Sequence, residues 1–261
     1  MRHRIQNCLL LVAVFSLCSS ANALVLDWDA VNWTPGSLNN AYDIAPATPG
    51  NDVTVAVTGN TAQFQTAIVG SNPQTPAITN SHDGGLNPAQ KTLTLAVNFT
   101  SRSEAITIKV DFSALYPLGV QNVSFVIFDV DFSNNSDNNS TVRDQLRSIS
   151  ALSIDGITQI APTITVSANN SLSGSGLAQV VNGTRSTVDT GTGSGAANVT
   201  INFGSGSGTV SNPTYQHIGL HDISFKPVPE INPMLASMFA CLAGGVLAWL
   251  RGRKTDGSRP L

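Results

Sequence analysis

Two aspartates, Asp129 and Asp131, close the segment Phe125-Val-Ile-Phe-Asp-Val-Asp131. Side chains of a strand repeat every two residues, so an extended backbone puts both carboxylates on one face. Like charges held close repel, and a hard cation such as Ca²⁺, which accepts about six to eight oxygens, relieves that repulsion. The stretch that follows carries Asn134, Asn135, Asp137, Asn138, Asn139 and Asp144. One reading is therefore a calcium site drawn from Asp129, Asp131, Asp137 and Asp144. The spacing fits no EF-hand, because Ser133 holds the fifth position and the required Gly is absent. The other reading is a solvated strand end whose Asx side chains satisfy their own backbone.

His217 and His221 lie four residues apart on a strand expected over 217–225, hence on one face, with Asp222 adjacent. Two histidines begin a zinc site, but an open catalytic zinc takes three protein ligands. The distant third candidate is His82, in Ser81-His-Asp-Gly-Gly85. The alternative is a pair of exposed histidines on the outer face of a terminal strand. Glycosidases need two carboxylates at a set separation, and fourteen Asp with two Glu single out no pair. No Gly-x-Ser-x-Gly elbow stands at a strand-to-helix turn, and no P-loop or dinucleotide fingerprint is present. Gly193-Ser-Gly195 and Gly204-Ser-Gly-Ser-Gly208 read as loops. No catalytic residue is assigned, and a secreted polysaccharide hydrolase is the weakest functional reading. Trp28 and Trp33 either stack on a sugar or pin the first strand into a core.

The elements that must position these residues are strands. Short runs alternate apolar and polar residues: Asp52–Val57, Lys91–Phe99 and Ala105–Phe112. Such alternation puts one face on a core and the other in water. Further strands are expected over 123–129, 149–154, 163–166, 198–203 and 217–225. Turn residues separate them, and Asp155-Gly156, between Ile154 and Ile157, reads as a two-residue hairpin. The stretches 133–140, 188–195 and 204–208 lack apolar anchors and are expected to be loops. About ten strands so connected predict an all-β chain with a single β-sandwich domain of jelly-roll type.

The charge of that body restricts its partners. From Leu24 to Glu230 there are fifteen Asp and Glu against seven Lys and Arg, a net charge of −8. An acidic surface repels phosphates, so nucleic acid is not an expected partner. The three cysteines are Cys8, Cys18 and Cys241, all outside the body, which excludes a disulfide scaffold and thiol chemistry within it.

The two ends read as addresses. Residues 1–23 have the form of a secretory signal: Arg2 and Arg4, an apolar run from Cys8 to Leu17, then Ala21-Asn-Ala23 as the cleavage site. At the other end Pro227-Val-Pro-Glu230 precedes an apolar stretch, 234–250, and the basic cluster Arg251, Arg253 and Lys254. Seventeen residues at 1.5 Å each span about 26 Å, enough for a thin bilayer as a helix. Basic residues stay cytoplasmic, which leaves the body outside and 255–261 as a cytoplasmic tail.

A Pro-Val-Pro-Glu motif, a weakly apolar helix and a basic end together resemble a PEP-CTERM sorting signal, over 227–254. Ile231 stands where that family has its second proline. The resemblance implies processing by an exosortase, a membrane-embedded transpeptidase, after export through the Sec translocon. The expected protein is thus a non-enzymatic envelope or extracellular-matrix component. Residues 24–226 would form its ectodomain, held at the inner membrane before processing and associated with exopolysaccharide. The alternative is a calcium-stabilised carbohydrate-binding module.

Overall fold

Every alternating run read from the sequence lies on a strand. The computed structural model describes residues 22–68, 71–130, 132–135, 140–168, 184–190, 195–206, 209–213 and 215–229. Residues 1–21 of the signal peptide, Glu230, the apolar stretch 234–250 and the basic cluster after it lie outside the described residues. Among the described residues no helix is long and apolar enough to cross a membrane.

The first strands are β1 (Leu24–Leu26), β2 (Asn39–Tyr42), β3 (Val53–Gly59), β4 (Thr66–Ile68), β5 (Ser71–Gln74) and β6 (Ala77–Thr79). They are followed by β7 (Thr92–Val97), β8 (Ala105–Asp111), β9 (Val120–Phe128), β10 (Phe132–Asn135), β11 (Ser140–Ser153) and β12 (Gln159–Ile160). The last are β13 (Thr163–Ala168), β14 (Thr184–Asp189), β15 (Ala196–Ser205), β16 (Gln216–Leu220) and β17 (Ile223–Pro227). The main path is an eight-strand antiparallel curled sheet, a half-barrel, in the order β2-β3-β8-β15-β9-β16-β7-β6. The chain is all-β.

The path has a narrow joint. β15 pairs along its length with β8 and β11, yet meets β9 through one residue pair, Ala196 opposite Val120. β9 in turn carries β14 on one edge and β17 and β16 on the other. The pairing of β9 with β17 contains a bulge. Ser224 faces Ser124 while Lys226 faces Gln121, so β9 advances one residue more than its partner. Asn122 absorbs the extra residue in the left-handed region, at φ 53°, where Asn is among the few non-glycine residues tolerated.

The alternation puts Val53, Val55 and Val57 into the core, with Ile106, Ile108 and Val110, and Val199, Ile201 and Phe203. Rings lock the two sides together: Phe203 packs on Phe99 at 5.9 Å between centroids, and Phe225 on Phe112 at 4.7 Å. Trp28 is fully buried and makes edge-to-face contacts with Trp33 and Tyr42, at 6.5 and 6.0 Å. The tryptophans therefore pin the N-terminal strand into the core and offer no face to a sugar.

Three local expectations are revised. β7 is buried on both faces, because β6 and the loop after it cover its threonines: Thr94 Oγ1 lies 2.7 Å from Thr79 Oγ1 of β6, and Thr92 Oγ1 donates to the His82 carbonyl of the loop at 3.3 Å. The turn at Asp155-Gly156 joins β11 to β12, but its loop is four residues, 154–157, closed by Ser153 N–H to Thr158 O at 2.9 Å. Ile157 is 82% exposed, so it is no strand residue. Part of 133–140 is strand, β10 pairing with the start of β11, and β14 and β15 run into the other two stretches read as loops.

One buried carboxylate ties down the approach to β3. Asp52 accepts the N–H groups of Ile44 and Ala45 at 2.7 and 2.8 Å and the Tyr116 hydroxyl. Burial, then the bond and the charge of Asp52, push the Tyr116 phenol well above its ordinary pKa. Burial pushes Tyr42 up to about 12, against a hydrogen bond with Asn40. Asp52→Ala orphans three donors and is expected to cost at least about 3 kcal/mol, read from the urea midpoint, while Tyr116→Phe costs about 1 kcal/mol. A phenol with a raised native pKa stabilises the fold below its unfolded value, near 10, and that contribution is lost as pH rises through the native value. Tyrosinate absorbance and unfolding are therefore expected to rise together as the pH climbs from about 10 toward 12.

Candidate functional site

The strand β9 ends at Phe128, and Asp129 leaves it in the left-handed region at φ 62°. That conformation departs from the extended backbone on which period-two alternation rests. Asp131 and Asp137 lie outside the described residues. Asp144 sits on β11, buried, and accepts a hydrogen bond from Gln216 Nε2 at 2.8 Å. Gln216 also bonds the Arg143 carbonyl at 2.8 Å and accepts from Ser205 at 2.7 Å. Asp144 thus belongs to a buried polar chain between β11, β15 and β16.

The Asp129 carboxylate meets two histidines instead. His82 Nδ1 lies 2.6 Å and His217 Nε2 2.7 Å from the same oxygen, Oδ2. The two imidazoles lie against each other, centroids 4.0 Å apart at 45°. Burial disfavours the charged form of Asp129, but the hydrogen bonds and charges of His217 and His82 outweigh it. They hold the carboxyl well below its usual range, as an anion. His82 Nε2 faces the Ala67 carbonyl at 3.2 Å. A carbonyl oxygen has no proton to give, so Nε2 carries the hydrogen and the ring orientation is set.

Each donor is delivered by a different element, and two glycines allow the approach. His217 sits on β16 opposite Ala96 of β7. Gly219, two residues on, lies directly beneath the His82 carbonyl, where any Cβ would overlap the oxygen. Gly84, at φ 67°, lets the same loop fold over the Phe128 ring, which occupies the space a Cβ would need. The 80–86 loop is therefore seated backbone-on-backbone across β16, with its histidine turned toward the end of β9.

His221 does not join the cluster. The segment 217–225 is two strands with a break at His221 and Asp222, so the expected shared face of His217 and His221 is lost. The His221 ring packs edge-on against Phe128 at 5.4 Å, and its Nε2 lies 3.9 Å from Asp222. Asp222 instead accepts the Trp28 N–H at 3.0 Å. The pairing of His82 with Asp129, 47 residues away, has no signature in spacing. The nearest sequence signal is Gly84-Gly85, which marks a sharp turn after His82 without saying what it folds upon.

No protein-family model matches the chain, and no curated protein matches its sequence. Chemically, an anionic oxygen between two protonated imidazole nitrogens orders a charged hydrogen-bond network, and the same three atoms, once the nitrogens give up those protons, offer one lone pair each to an ion. Gly219→Ala is expected to lift the loop from β16 at a cost of about 1–3 kcal/mol. Histidine ring NMR checks this: the His82 signals should lose their coupling to Asp129, while those of His221 stay in place.

Proposed function

We propose that the chain is an exported, non-enzymatic component of the cell envelope or extracellular matrix, released from the inner membrane through its PEP-CTERM-like tail. The carrying observation is the junction of body and motif. Pro227 is the last residue of β17, opposite Val120, and the Val228 N–H donates to the Gly119 carbonyl at 3.1 Å. Half of Pro227-Val-Pro-Glu230 thus has its backbone fixed to the sheet. A sorting motif that begins where the fold ends leaves almost no tether, which suits a domain held close to a membrane until it is processed.

Two further features support the reading. The single-pair joint between β15 and β9, with aromatic rings packed between the two sides, fits a jelly-roll-like sandwich, a common scaffold of extracytoplasmic modules. The acidic, cysteine-free body suits an oxidising compartment outside the cytoplasm. In this account the Sec translocon exports the chain, cleavage follows Ala23, and an exosortase-type enzyme acts near Pro229 and Glu230. Exopolysaccharide is the surrounding material with which the body associates.

Intact-mass spectrometry of the protein from its native host tests this. The mature form is expected to begin at Leu24 and to end before Met234, and Pro229→Ala with Glu230→Ala should leave the tail attached. A mature protein that keeps Met1, or that runs through to Leu261, sinks the proposal.

A further inference from the structure

We infer that His82, Asp129 and His217 form a binding site for a single divalent transition-metal ion of the zinc class. Nδ1 of His82, Oδ2 of Asp129 and Nε2 of His217 all lie within 4.8 Å of one another, and among the described residues this is the one such cluster of three. Three separate elements supply the ligands, which the fold brings together without help from sequence proximity. The site goes beyond the envelope assignment and does not depend on it.

The donor set selects the metal. Two imidazoles and one carboxylate suit zinc and its first-row neighbours, whereas Ca²⁺ seeks about six to eight oxygens. Tetrahedral zinc, with bonds of about 2.0–2.1 Å, holds its donor atoms roughly 3.3 Å apart. The present separations from Oδ2 are 2.6 and 2.7 Å, so each nitrogen has to retreat by roughly 0.6 Å to admit the ion. Small side-chain rotations achieve that.

The surroundings already match those of a metal-ligating histidine. Such a ring characteristically donates its second N–H to a carboxylate or backbone carbonyl, which fixes the tautomer and turns the free nitrogen toward the metal. His82 has this partner in the Ala67 carbonyl. Ala67 is buried, so the arrangement is built into the fold. His217 is set up differently. Its Nδ1 is buried with no hydrogen-bond partner among the described residues. Moving the ring proton from Nε2 to Nδ1 therefore sacrifices no second hydrogen bond and frees Nε2 for the ion.

Access and vacancy in the coordination sphere follow from burial and number. The three side chains are 12%, 21% and 26% exposed, enclosed but reachable from solvent. Three protein donors leave a tetrahedral ion one position for water or another oxygen ligand.

The test is Zn²⁺ titration of the full-length protein by calorimetry, with Ca²⁺ and Mg²⁺ as comparison ions, followed by zinc-edge X-ray absorption of the loaded protein. One ion per chain is expected, with two imidazole nitrogens in its first shell and a rise in Tm that Ca²⁺ does not reproduce. His217→Gln and His82→Gln are each expected to weaken binding at least about 100-fold, since even partners one shell out are worth about 10- to 100-fold. His221→Gln should leave affinity unchanged, and circular dichroism verifies that each variant is folded. Should a variant not fold, the absorption spectrum of the wild-type protein decides alone. No Zn²⁺ binding, a first shell without imidazole, equal response to Ca²⁺, or full affinity in a folded His217→Gln protein would each overturn the assignment.

Discussion

The structure depends on β9 serving two edges with different partners. Along one edge it carries β14; along the other it serves first β17 and then β16. A strand with two successive partners has to keep register with each: the extra residue at Asn122 lies within the β17 pairing, and the change to β16 falls between Ser124 and Ile127, where His221 and Asp222 separate β16 from β17. Backbone hydrogen bonds set this requirement, because a buried N–H or C=O without a partner costs about as much as a lost hydrogen bond. The inward residues Val123, Phe125 and Ile127 then fall into the core. At the far end the strand delivers Asp129 to the histidines. Core, joint and site are thus consequences of one strand's geometry.

Enclosed carboxylates work in two ways in this body. Asp52 gathers backbone N–H groups and a phenol around a chain reversal, a purely architectural use. Asp129 gathers two side-chain nitrogens that have alternatives open to them, because an imidazole can exchange a proton for an ion. What separates the two is the partners: amide hydrogens cannot leave, ring hydrogens can. The same reasoning sets Asp144 with the first kind, since it is held by the Gln216 amide inside a polar chain.

Much of the fold is legible in the sequence because alternation reports which face of a strand is dry. Val53-Thr-Val-Ala-Val57 and Ala105-Ile-Thr-Ile-Lys-Val110 announce their strands without ambiguity. Alternation fails where neighbouring chain covers the polar face, as β6 and the loop after it do over Thr92 and Thr94. It is silent for short edge strands such as β1 and β2, whose place is set by pairing. The site is half legible. Asp129, His82 and His217 all stand out as donors, but their meeting depends on a left-handed residue at Asp129 and on the absence of a side chain at Gly219. Neither leaves a trace in spacing. The histidine pair that spacing does suggest, His217 with His221, is separated by the break between β16 and β17.

The bulge at Asn122 also governs which changes of length the gene can tolerate. Without Asn122 the buried Val120, Val123, Phe125 and Ile127 would alternate strictly with Gln121, Ser124 and Val126, so loss of that one codon would restore a regular ladder with β17 and keep each of them on its present face. Loss of any one codon from Val123 to Ile127 would instead turn the later residues of the run to the opposite face, so the strand can change length at its bulge and nowhere along its alternating part.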